Sequence, residues 1–381
     1  MSKKIYAQDG VDVELGDLAS KIAGEFCKST YNNSPIAQVV DMTRGNFRGP
    51  RGIDLLDQFR QKGYLLACAP DGIGTKVVLH DCASSWQVAA FDLIAMTSFD
   101  LVRWGGVPVY FTSVLDVSSL GENQNDKTFK AVLALYEGSA NAGKAVNMII
   151  INGETAELSY TVSSDNLNAT LKFNWGGSAQ GLFHQDKMIL GDSLEPGQAV
   201  MVLKENGFRS NGISSVRKAF ANKFGDNWFS SETAQPFIKA AAEPSVLYDR
   251  FFCSINGWYG DSPYIKVHSL IHLSGGSFES KFGKDILFPL GLSAKLNNLW
   301  QAPQIMEQCA LWRKMDDRSI YETWNGGQGA LAVIDEKDVQ TFIEEAAKFG
   351  LLAKKGGIIN KTISPEVRIT SAFSGEEIVF K

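Results

Sequence analysis

Residues 64–76 read Tyr-Leu-Leu-Ala-Cys-Ala-Pro-Asp-Gly-Ile-Gly-Thr-Lys, and they combine a structural element with a chemical one. The apolar part, from Tyr64 to Ala69, predicts a short buried strand that leads directly into the loop from Asp71 to Lys76. This loop offers flexible backbone for close approach to phosphates, a hydroxyl, a cation and a carboxylate able to hold magnesium. Because the Walker spacing is absent, a glycine turn with solvated Asp71 and Lys76 is the alternative.

The patterns around this stretch predict alternating helices and strands. Apolar residues at Leu15, Leu18, Ile22 and Phe26 follow helical spacing. Beyond the Asp71 loop, the pattern predicts a helix, a strand, a second helix and a second strand at residues 88–102, 109–115, 126–142 and 148–151. Such alternation is typical of an α/β or α+β fold, in which ligands bind beyond strand ends.

The length of 381 residues exceeds the usual size of one hydrophobic core, so two domains are expected. The pattern resets in a turn-rich stretch at 181–196, before a predicted strand at 199–203. The expected domains are therefore residues 1–188 and 189–381. The second contains a predicted helix through Ile213, Val216 and Phe220, a strand at 267–273 and a further helix after residue 277.

Composition excludes several classes of protein. A net charge of -5 argues against non-specific nucleic-acid binding, which needs clustered Lys and Arg. The apolar runs are too short to cross a bilayer, and Asp9 and Asp12 interrupt the first residues where a signal peptide would be apolar. The five scattered cysteines, without a CxxC pair, indicate reduced thiols in small core positions and no zinc site. A cytoplasmic protein is expected.

Two further carboxylates strengthen the chemical interpretation of the Asp71 loop. Asp100 lies in an otherwise apolar helix pattern and Glu154 follows a buried strand pattern, and buried acids need partners. Magnesium carried by ATP is one such partner, and a salt bridge with Lys76 or Arg103 is the alternative. Glu154 and Glu157 are three residues apart, so on a helical turn both would face one ligand, although Glu157 could equally be solvated.

Three stretches in the second half also carry candidate residues. Arg209-Ser210-Asn211-Gly212 precedes a helix and either receives an anion or forms an ordinary cap. His272 lies at a strand end, where it either contacts a nucleotide, transfers a proton or has a structural role. The glycine-rich turn at 323–329 is either a substrate loop or a hairpin.

Taken in order, these motifs resemble the phosphoribosylformylglycinamidine cyclo-ligases, also called aminoimidazole ribonucleotide synthetases. The resemblance covers nearly the whole chain and rests on residues 71–76, 92–101, 153–157, 210–212 with 216–218, 272–276 and 323–329. It implies a two-domain synthetase-like fold in which the N-terminal domain binds ATP and pairs with its copy into a dimeric β-barrel. The C-terminal α/β domain is then expected to complete the active site of a homodimer.

The resemblance also implies the reaction and the residues that perform it. ATP would phosphorylate the amide-type oxygen of formylglycinamidine ribonucleotide, and closure by the amidine nitrogen would yield aminoimidazole ribonucleotide, ADP and phosphate. The implied magnesium ligands are Asp71, Asp100 and Glu154. The implied nucleotide-binding residues are Asp71, Gly72, Gly74, Thr75, Lys76, Arg209, Ser210, Asn211 and Gly212. Catalysis is assigned to Lys76, Asp100, Glu154 and His272, and substrate binding to Gly275, Gly276, Thr323, Asn325 and Gly326.

The sequence departs from the family pattern at several positions. The candidate lid at 45–52 is less glycine-rich than the family's loop, and single substitutions occur at Phe99, Asn152, Asn174 and Arg209. The alternative is therefore a divergent paralogue, acting either as another ATP-dependent small-molecule enzyme or as a non-catalytic nucleotide-binding dimer. Thiamine monophosphate kinase is one related enzyme. Selenophosphate synthetase and the hydrogenase maturation protein are disfavoured, because Cys27 lies outside the glycine-rich loop and the chain ends Val379-Phe380-Lys381.

Overall fold

A computed structural model describes residues 13–41, 51–56, 63–273 and 276–381. The described chain divides into two compact units. The first comprises the described residues up to Ser98 together with Pro108–Leu182, and the second comprises Phe99–Val107 together with Phe183–Lys381. A division at residue 188 into independently folding domains stays a prediction.

The first unit is a sheet with helices. Its four main strands are β3 (Tyr64–Gly72), β4 (Val107–Val117), β5 (Ile149–Glu157) and β6 (Phe173–His184), in the order β3-β6-β4-β5, while β1 (Ala37–Asp41) and β2 (Arg51–Leu55) form a separate antiparallel pair. The helices are α1 (Val13–Lys28), α2 (Val77–Ala83), α3 (Trp86–Val102) and α4 (Lys127–Ala145). The last residues of α3, from Phe99, belong to the second unit.

The helices and strands predicted in this half are present, but β3 is not the buried strand that was predicted, because Leu65 and Leu66 are 63% and 86% exposed. Two strands are longer than predicted. β3 continues through Asp71 to Gly72, and β5 continues through Glu154 to Glu157. Residues 149–151 are buried whereas 152–154 are exposed, yet β5 stays paired in parallel with β4 as far as Glu157. Pairing of strands uses backbone groups, so the change to polar side chains does not end a strand.

The second unit is built on a seven-stranded sheet in the order β13-β12-β9-β11-β7-β10-β8. The strands are β7 (Ala199–Lys204), β8 (Val267–His272), β9 (Ser293–Leu296), β10 (Gln328–Ile334), β11 (Ala353–Asn360), β12 (Val367–Thr370) and β13 (Glu377–Phe380). Neighbouring strands of this sheet pair antiparallel except for β9 with β12, so this unit is α+β. The mixed α/β fold expected from the sequence is confirmed.

The second unit contains six α-helices and one π-helix among its described residues. The α-helices are α5 (Ile213–Phe224), α6 (Gln235–Ala241), α7 (Asp249–Ile255), α8 (Gln304–Arg313), α9 (Asp317–Thr323) and α10 (Val339–Lys348). The predicted helix after residue 277 is present as a π-helix over Phe278–Leu287. Its Phe278, Phe282 and Leu287 pack into the same core as Val200 and Leu331 of the central strands.

The structure also tests what composition suggested about the cysteines and about membrane-spanning helices. None of the five cysteines, all of them within the described ranges, forms a disulfide, and Cys253 and Cys309 are buried. Cys68 is exposed on β3, so the expectation of a core position is wrong for that residue. Within the described ranges, no helix has the length and apolar character needed to cross a membrane.

Candidate active site

The first unit has a cleft at the end of β3. It occupies about 560 Å³ and is lined by Pro70–Gly72, Thr112–Val114 and Asn174–Gly177, which come from β3, β4 and β6. Asp71 is exposed there, and one of its carboxylate oxygens accepts the backbone N–H of Gly72 at 2.7 Å. Asn174, a departure from the family pattern, lies in the same cleft. The cleft has the size and the polar groups of a small-molecule site.

Close backbone approach shapes this cleft. A Cβ added to Gly177 would lie 2.2 Å from the Phe111 ring, so glycine is required there. The N–H of Ile73 donates to the Trp175 carbonyl at 3.0 Å and joins the loop to β6. Gly74 has φ +62°, and both Gly74 and Thr75 are exposed. Asp71, Gly74 and Thr75 are therefore accessible to a ligand.

Lys76 does not lie where the sequence analysis placed it. Its ammonium is fully buried and donates to Asp92 at 2.8 Å. The other Asp92 oxygen lies 2.8 Å from His80 Nε2, and His80 Nδ1 lies 2.9 Å from the Ser85 hydroxyl. Lys76 thus forms part of a buried network and does not point its charge at a phosphate, which corrects its predicted role.

This network ties α2 to α3. Burial lowers the pKa of His80 from its ordinary value of 6.5, despite the opposing effect of Asp92. Burial alone would raise the pKa of Asp92, but Lys76 and His80 outweigh it and lower that pKa. The imidazole is therefore neutral and the carboxylate ionised, so the single negative charge of Asp92 is balanced by the single positive charge of Lys76.

Glu154 and Glu157 occupy β5, so their predicted placement on a helical turn is wrong. Residues three apart on a strand point to opposite faces. Glu157 accepts the N–H of Leu120 at 2.8 Å and holds the loop after β4. Glu154 is exposed, and its strand position is opposite Val114 of β4. Glu154 alone of the two is available to a ligand.

The strand order also separates Asp71 from Glu154. β3 and β5 are the two edges of the sheet, three interstrand spacings apart, which is about 14 Å. Magnesium binds oxygens at about 2.1 Å, so this separation favours a site to which two chains contribute the two carboxylates. Consistently, the described residues contain no group of three or more His, Cys, Asp or Glu side chains arranged to hold a metal.

Asp100 belongs to the second unit, where it is flanked by cationic groups. Its side chain is 40% exposed, so it is not the buried acid that the sequence suggested. Arg103 Nε lies 3.3 Å from its Oδ1, which is the salt bridge considered as the alternative. Burial would raise the pKa of Asp100, but the hydrogen bond from His272 and the charges of Arg103 and Lys281 lower it. Asp100 is therefore a stable carboxylate.

His272 lies beside Asp100 in the second unit. Its Nδ1 is 3.5 Å from Asp100 Oδ1, while its side chain is only 1% exposed. Burial, reinforced by the charge of Arg209, lowers the pKa of His272 to about 3. The ring of Phe99 packs edge-on against the imidazole, with centroids 5.3 Å apart. His272 is thus a neutral, immobilised group.

The turn at 209–212 differs from the predicted anion site. Arg209 is 1% exposed, its Nη1 donates to Glu205 at 2.7 Å and its Nε donates to His272 at 3.0 Å. It is a buried structural cation, which corrects its predicted role in binding ATP. Gly212 has φ +66° directly before α5, and an added Cβ would lie 2.5 Å from Trp324. The nucleotide-binding role of Ser210 and Asn211 stays a prediction.

The turn after α9 is a structural clamp. The Asn325 amide donates to the Gly207 carbonyl at 3.0 Å and accepts from Gly327 N at 2.8 Å, and its side chain is buried. The Thr323 hydroxyl donates back to Ser319 within the helix. Gly326 has φ +62° and no room for a Cβ beside Tyr321. These contacts hold the turn in place, and its substrate-binding role stays a prediction.

Two predicted segments lie partly outside the described residues. In the segment after His272, Ser274 and Gly275 are not described, whereas Gly276 is described and donates its N–H to the Tyr321 carbonyl. The candidate lid at 45–52 is described only at its last two residues, which begin β2.

Three charged residues of these networks escaped the sequence analysis. Asp92 is fully buried in α3, so it is the acid in this helix that needs a partner inside the protein. The sequence pattern had assigned this need to Asp100. Glu205 precedes Arg209 by four residues, a spacing that pairs charges on one side of a helical turn. Lys281, whose amine donates to the His272 carbonyl at 3.4 Å, had no sequence signal.

The chain is similar in sequence to a known family of proteins. Residues 55–172 match the family model described as AIR synthase related protein, N-terminal domain. A relative from Alkaliphilus oremlandii, named phosphoribosylformylglycinamidine cyclo-ligase, is 28% identical over 353 residues, covering 91% of this chain and 94% of its own. A relative of the same name from Lactococcus lactis subsp. cremoris is 27% identical and covers 96% of this chain and 98% of its own.

A solved structure supports the fold. The hydrogenase maturation protein HypE in complex with ATP superposes with a TM-score of 0.58, covering 93% of this chain and 91% of its own. The sequences are 13% identical, so this likeness concerns the fold.

Proposed function

Because this chain is related over nearly its whole length to the phosphoribosylformylglycinamidine cyclo-ligases, we propose that it closes the imidazole ring of aminoimidazole ribonucleotide. The substrates are ATP and formylglycinamidine ribonucleotide, and the products are aminoimidazole ribonucleotide, ADP and phosphate. The observation that carries this proposal is the cleft in which Asp71 of the Asp-Gly-Ile-Gly-Thr-Lys loop is exposed. A cytoplasmic location suits a purine-biosynthetic enzyme and forms part of the proposal.

The cleft is the proposed ATP side of the site. Asp71 contributes carboxylate oxygens, and Gly72, Gly74 and Thr75 contribute backbone and hydroxyl groups that can approach phosphates closely. Carboxylate oxygens are the ligands that magnesium prefers, so the donor set fits an ion that arrives with ATP and keeps phosphate oxygens and waters as its other ligands. The ion would neutralise charge on the transferred phosphoryl group.

Asp100 and His272 form the proposed catalytic part of the second unit. Asp100 is the accessible member, and the neighbouring Arg103 and Lys281 supply the positive charge that Lys76 cannot. In the proposed reaction ATP phosphorylates the amide-type oxygen, the amidine nitrogen attacks the activated carbon, and phosphate leaves. The protein contributes by positioning the reactants and by stabilising charge.

A homodimer is the proposed assembly. Leu65 and Leu66 are adjacent in β3 and therefore point to opposite faces, yet they are 63% and 86% exposed. An edge strand with apolar side chains exposed on both faces is a surface that proteins normally cover. If the β3 edge of one copy meets the β5 edge of another, Glu154 of the partner subunit reaches the Asp71 cleft. In this arrangement Asp71 of one chain and Glu154 of the partner subunit would hold the magnesium ion together.

The decisive experiment supplies ATP, magnesium and formylglycinamidine ribonucleotide and measures ADP and the aminoimidazole product together. We expect both to form in equal amounts, and we expect Asp71→Asn to reduce the rate on the order of 100-fold while leaving the unfolding midpoint nearly unchanged. Asp186→Asn, at an exposed aspartate outside the cleft, is the matched control. Folded protein that binds ATP without forming aminoimidazole would instead indicate the non-catalytic nucleotide-binding paralogue.

A further inference from the structure

A chain of hydrogen bonds in the second unit runs from a buried carboxylate to an accessible one. Glu205 accepts from Arg209 Nη1 at 2.7 Å, Arg209 Nε donates to His272 Nε2 at 3.0 Å, and His272 Nδ1 lies 3.5 Å from Asp100 Oδ1. The first three side chains are buried and Asp100 is 40% exposed. The chain of contacts therefore connects the interior with the proposed site.

The direction of these hydrogen bonds follows from the chemistry of the groups. A guanidinium has donors and no acceptor, so His272 Nε2 must accept from Arg209. A neutral imidazole that accepts at one nitrogen carries its proton on the other. The proton of His272 is therefore on Nδ1, which faces the Asp100 carboxylate.

Arg209 is held firmly in this role. Besides Glu205 and His272, its guanidinium donates to the Val246 carbonyl at 3.1 Å. Glu205 in turn accepts from Asn206 N at 2.9 Å, from Val246 N at 3.2 Å and from the Tyr248 hydroxyl at 3.3 Å. A buried ion pair with this number of satisfied hydrogen bonds is costly to rearrange. Arg209 thus has no freedom to swing toward a phosphate.

We propose that Glu205 and Arg209 are positioning residues, which hold His272 as the Nδ1-protonated tautomer and thereby aim its N–H at Asp100. One oxygen of Asp100 is then oriented by His272 and Arg103, and the accessible part of the carboxylate is presented in a fixed direction. The consequence for turnover rests on the proposed function of Asp100, whereas the tautomer does not. This assigns the family departure at Arg209 a specific task.

The tautomer can be measured without any activity. In protein labelled with ¹⁵N in its four histidines, long-range proton–nitrogen correlation near neutral pH distinguishes the two neutral tautomers. The His272 signals are identified by their loss in His272→Gln. We expect the Nδ1-protonated form in the unvaried protein and in Arg250→Lys, an arginine outside this network. A signal from the Nε2-protonated form or from imidazolium in the unvaried protein would overturn the inference.

The variant Arg209→Lys keeps a positive charge for Glu205 but removes the rigid Nε donor. We expect it to produce a mixture of His272 tautomers and to lower kcat about 10- to 100-fold, with KM for ATP changed less than about twofold. A direct phosphate-binding role would raise KM for ATP instead. Unchanged kcat with an unchanged tautomer in the folded variant would refute the positioning role. If the unvaried protein lacks cyclo-ligase activity, the proposed function fails and the tautomer alone decides the inference.

Discussion

At the scale of single residues, burial separates the charged groups that are proposed to bind ligands from those that hold the fold. Lys76 and Arg209 occupy positions in sequence motifs, yet both are buried and paired with carboxylates. Asp71 and Glu154 are exposed. A buried charge must be matched by a partner inside the protein, so its partner and not its motif determines its role.

The residue-scale prediction concerns Lys76. In Lys76→Met the carboxylate of Asp92 loses its cation inside the protein, so we expect a loss of about 3–5 kcal/mol in the free energy of unfolding. Denaturant unfolding measures this loss. The control Lys28→Met removes an exposed lysine from a surface pair and should change stability little.

The double variant Lys76→Met/Asp92→Leu should recover much of the lost stability, because it removes both charges of the pair. If Lys76 instead serves a bound phosphate, Lys76→Met will keep its stability and lose affinity for ATP.

At the scale of elements, the same side chains join helices and strands into rigid parts. His80 on α2 and Asp92 on α3 link two successive helices, and Asn325 and Trp324 link the turn after α9 to the turn before α5 through the carbonyls of Gly207 and Gly212. Loops whose polar groups are satisfied in this way are fixed supports for the site.

The element-scale prediction concerns acidification. The pKa of His80 is lowered in the folded protein, so below its ordinary value of 6.5 the unfolded chain binds the extra proton and folding becomes less favourable. Stability should therefore fall as the pH drops below 6.5, by up to about 1.4 kcal/mol per pH unit from this group.

Unfolding measured from neutral pH down to about pH 5 tests this, and His80→Gln should reduce the slope. The remaining slope includes His272, whose pKa is lowered to about 3 by burial, and His184→Gln is the control outside this network. An equal slope in the unvaried protein and in His80→Gln would contradict the assignment.

At the scale of the whole molecule, strand order decides how many chains one site needs. Asp71 and Glu154 lie on opposite edges of a four-stranded sheet, so strand order favours a site that draws them from two chains. A closed two-fold dimer places the same two edges together twice. The proposed homodimer would thus supply both carboxylates of the proposed metal site.

The whole-molecule prediction is complementation between inactive variants. Asp71→Asn and Glu154→Gln should each be inactive alone, but after mixing and subunit exchange the hybrid dimers contain one intact site of two, which restores about a quarter of full activity. The control is each variant by itself, incubated under the same subunit-exchange conditions. No recovery, with hybrids shown to form, would place both carboxylates of a site in one chain.

Much of the architecture was predictable because it depends on local spacing. The apolar periodicity of residues 15–26 and 88–102 requires helices, and apolar runs such as 199–203 require strands. Strand ends were less predictable, since β3 and β5 extend through polar residues by backbone pairing. The partner of Lys76 was also hidden, because Asp92 lies sixteen residues away on another helix.

The sequence by itself determined the mixed α/β fold and the family resemblance, because spacing and motif order are properties of neighbouring residues. The exposure of Asp71 was decided by the tertiary structure. Only the tertiary structure decided which charges meet: Lys76 with Asp92, Arg209 with Glu205, and His272 with Asp100. These pairings join residues that are distant along the chain or that packing has buried, and burial makes a charge bind its partner inside the protein.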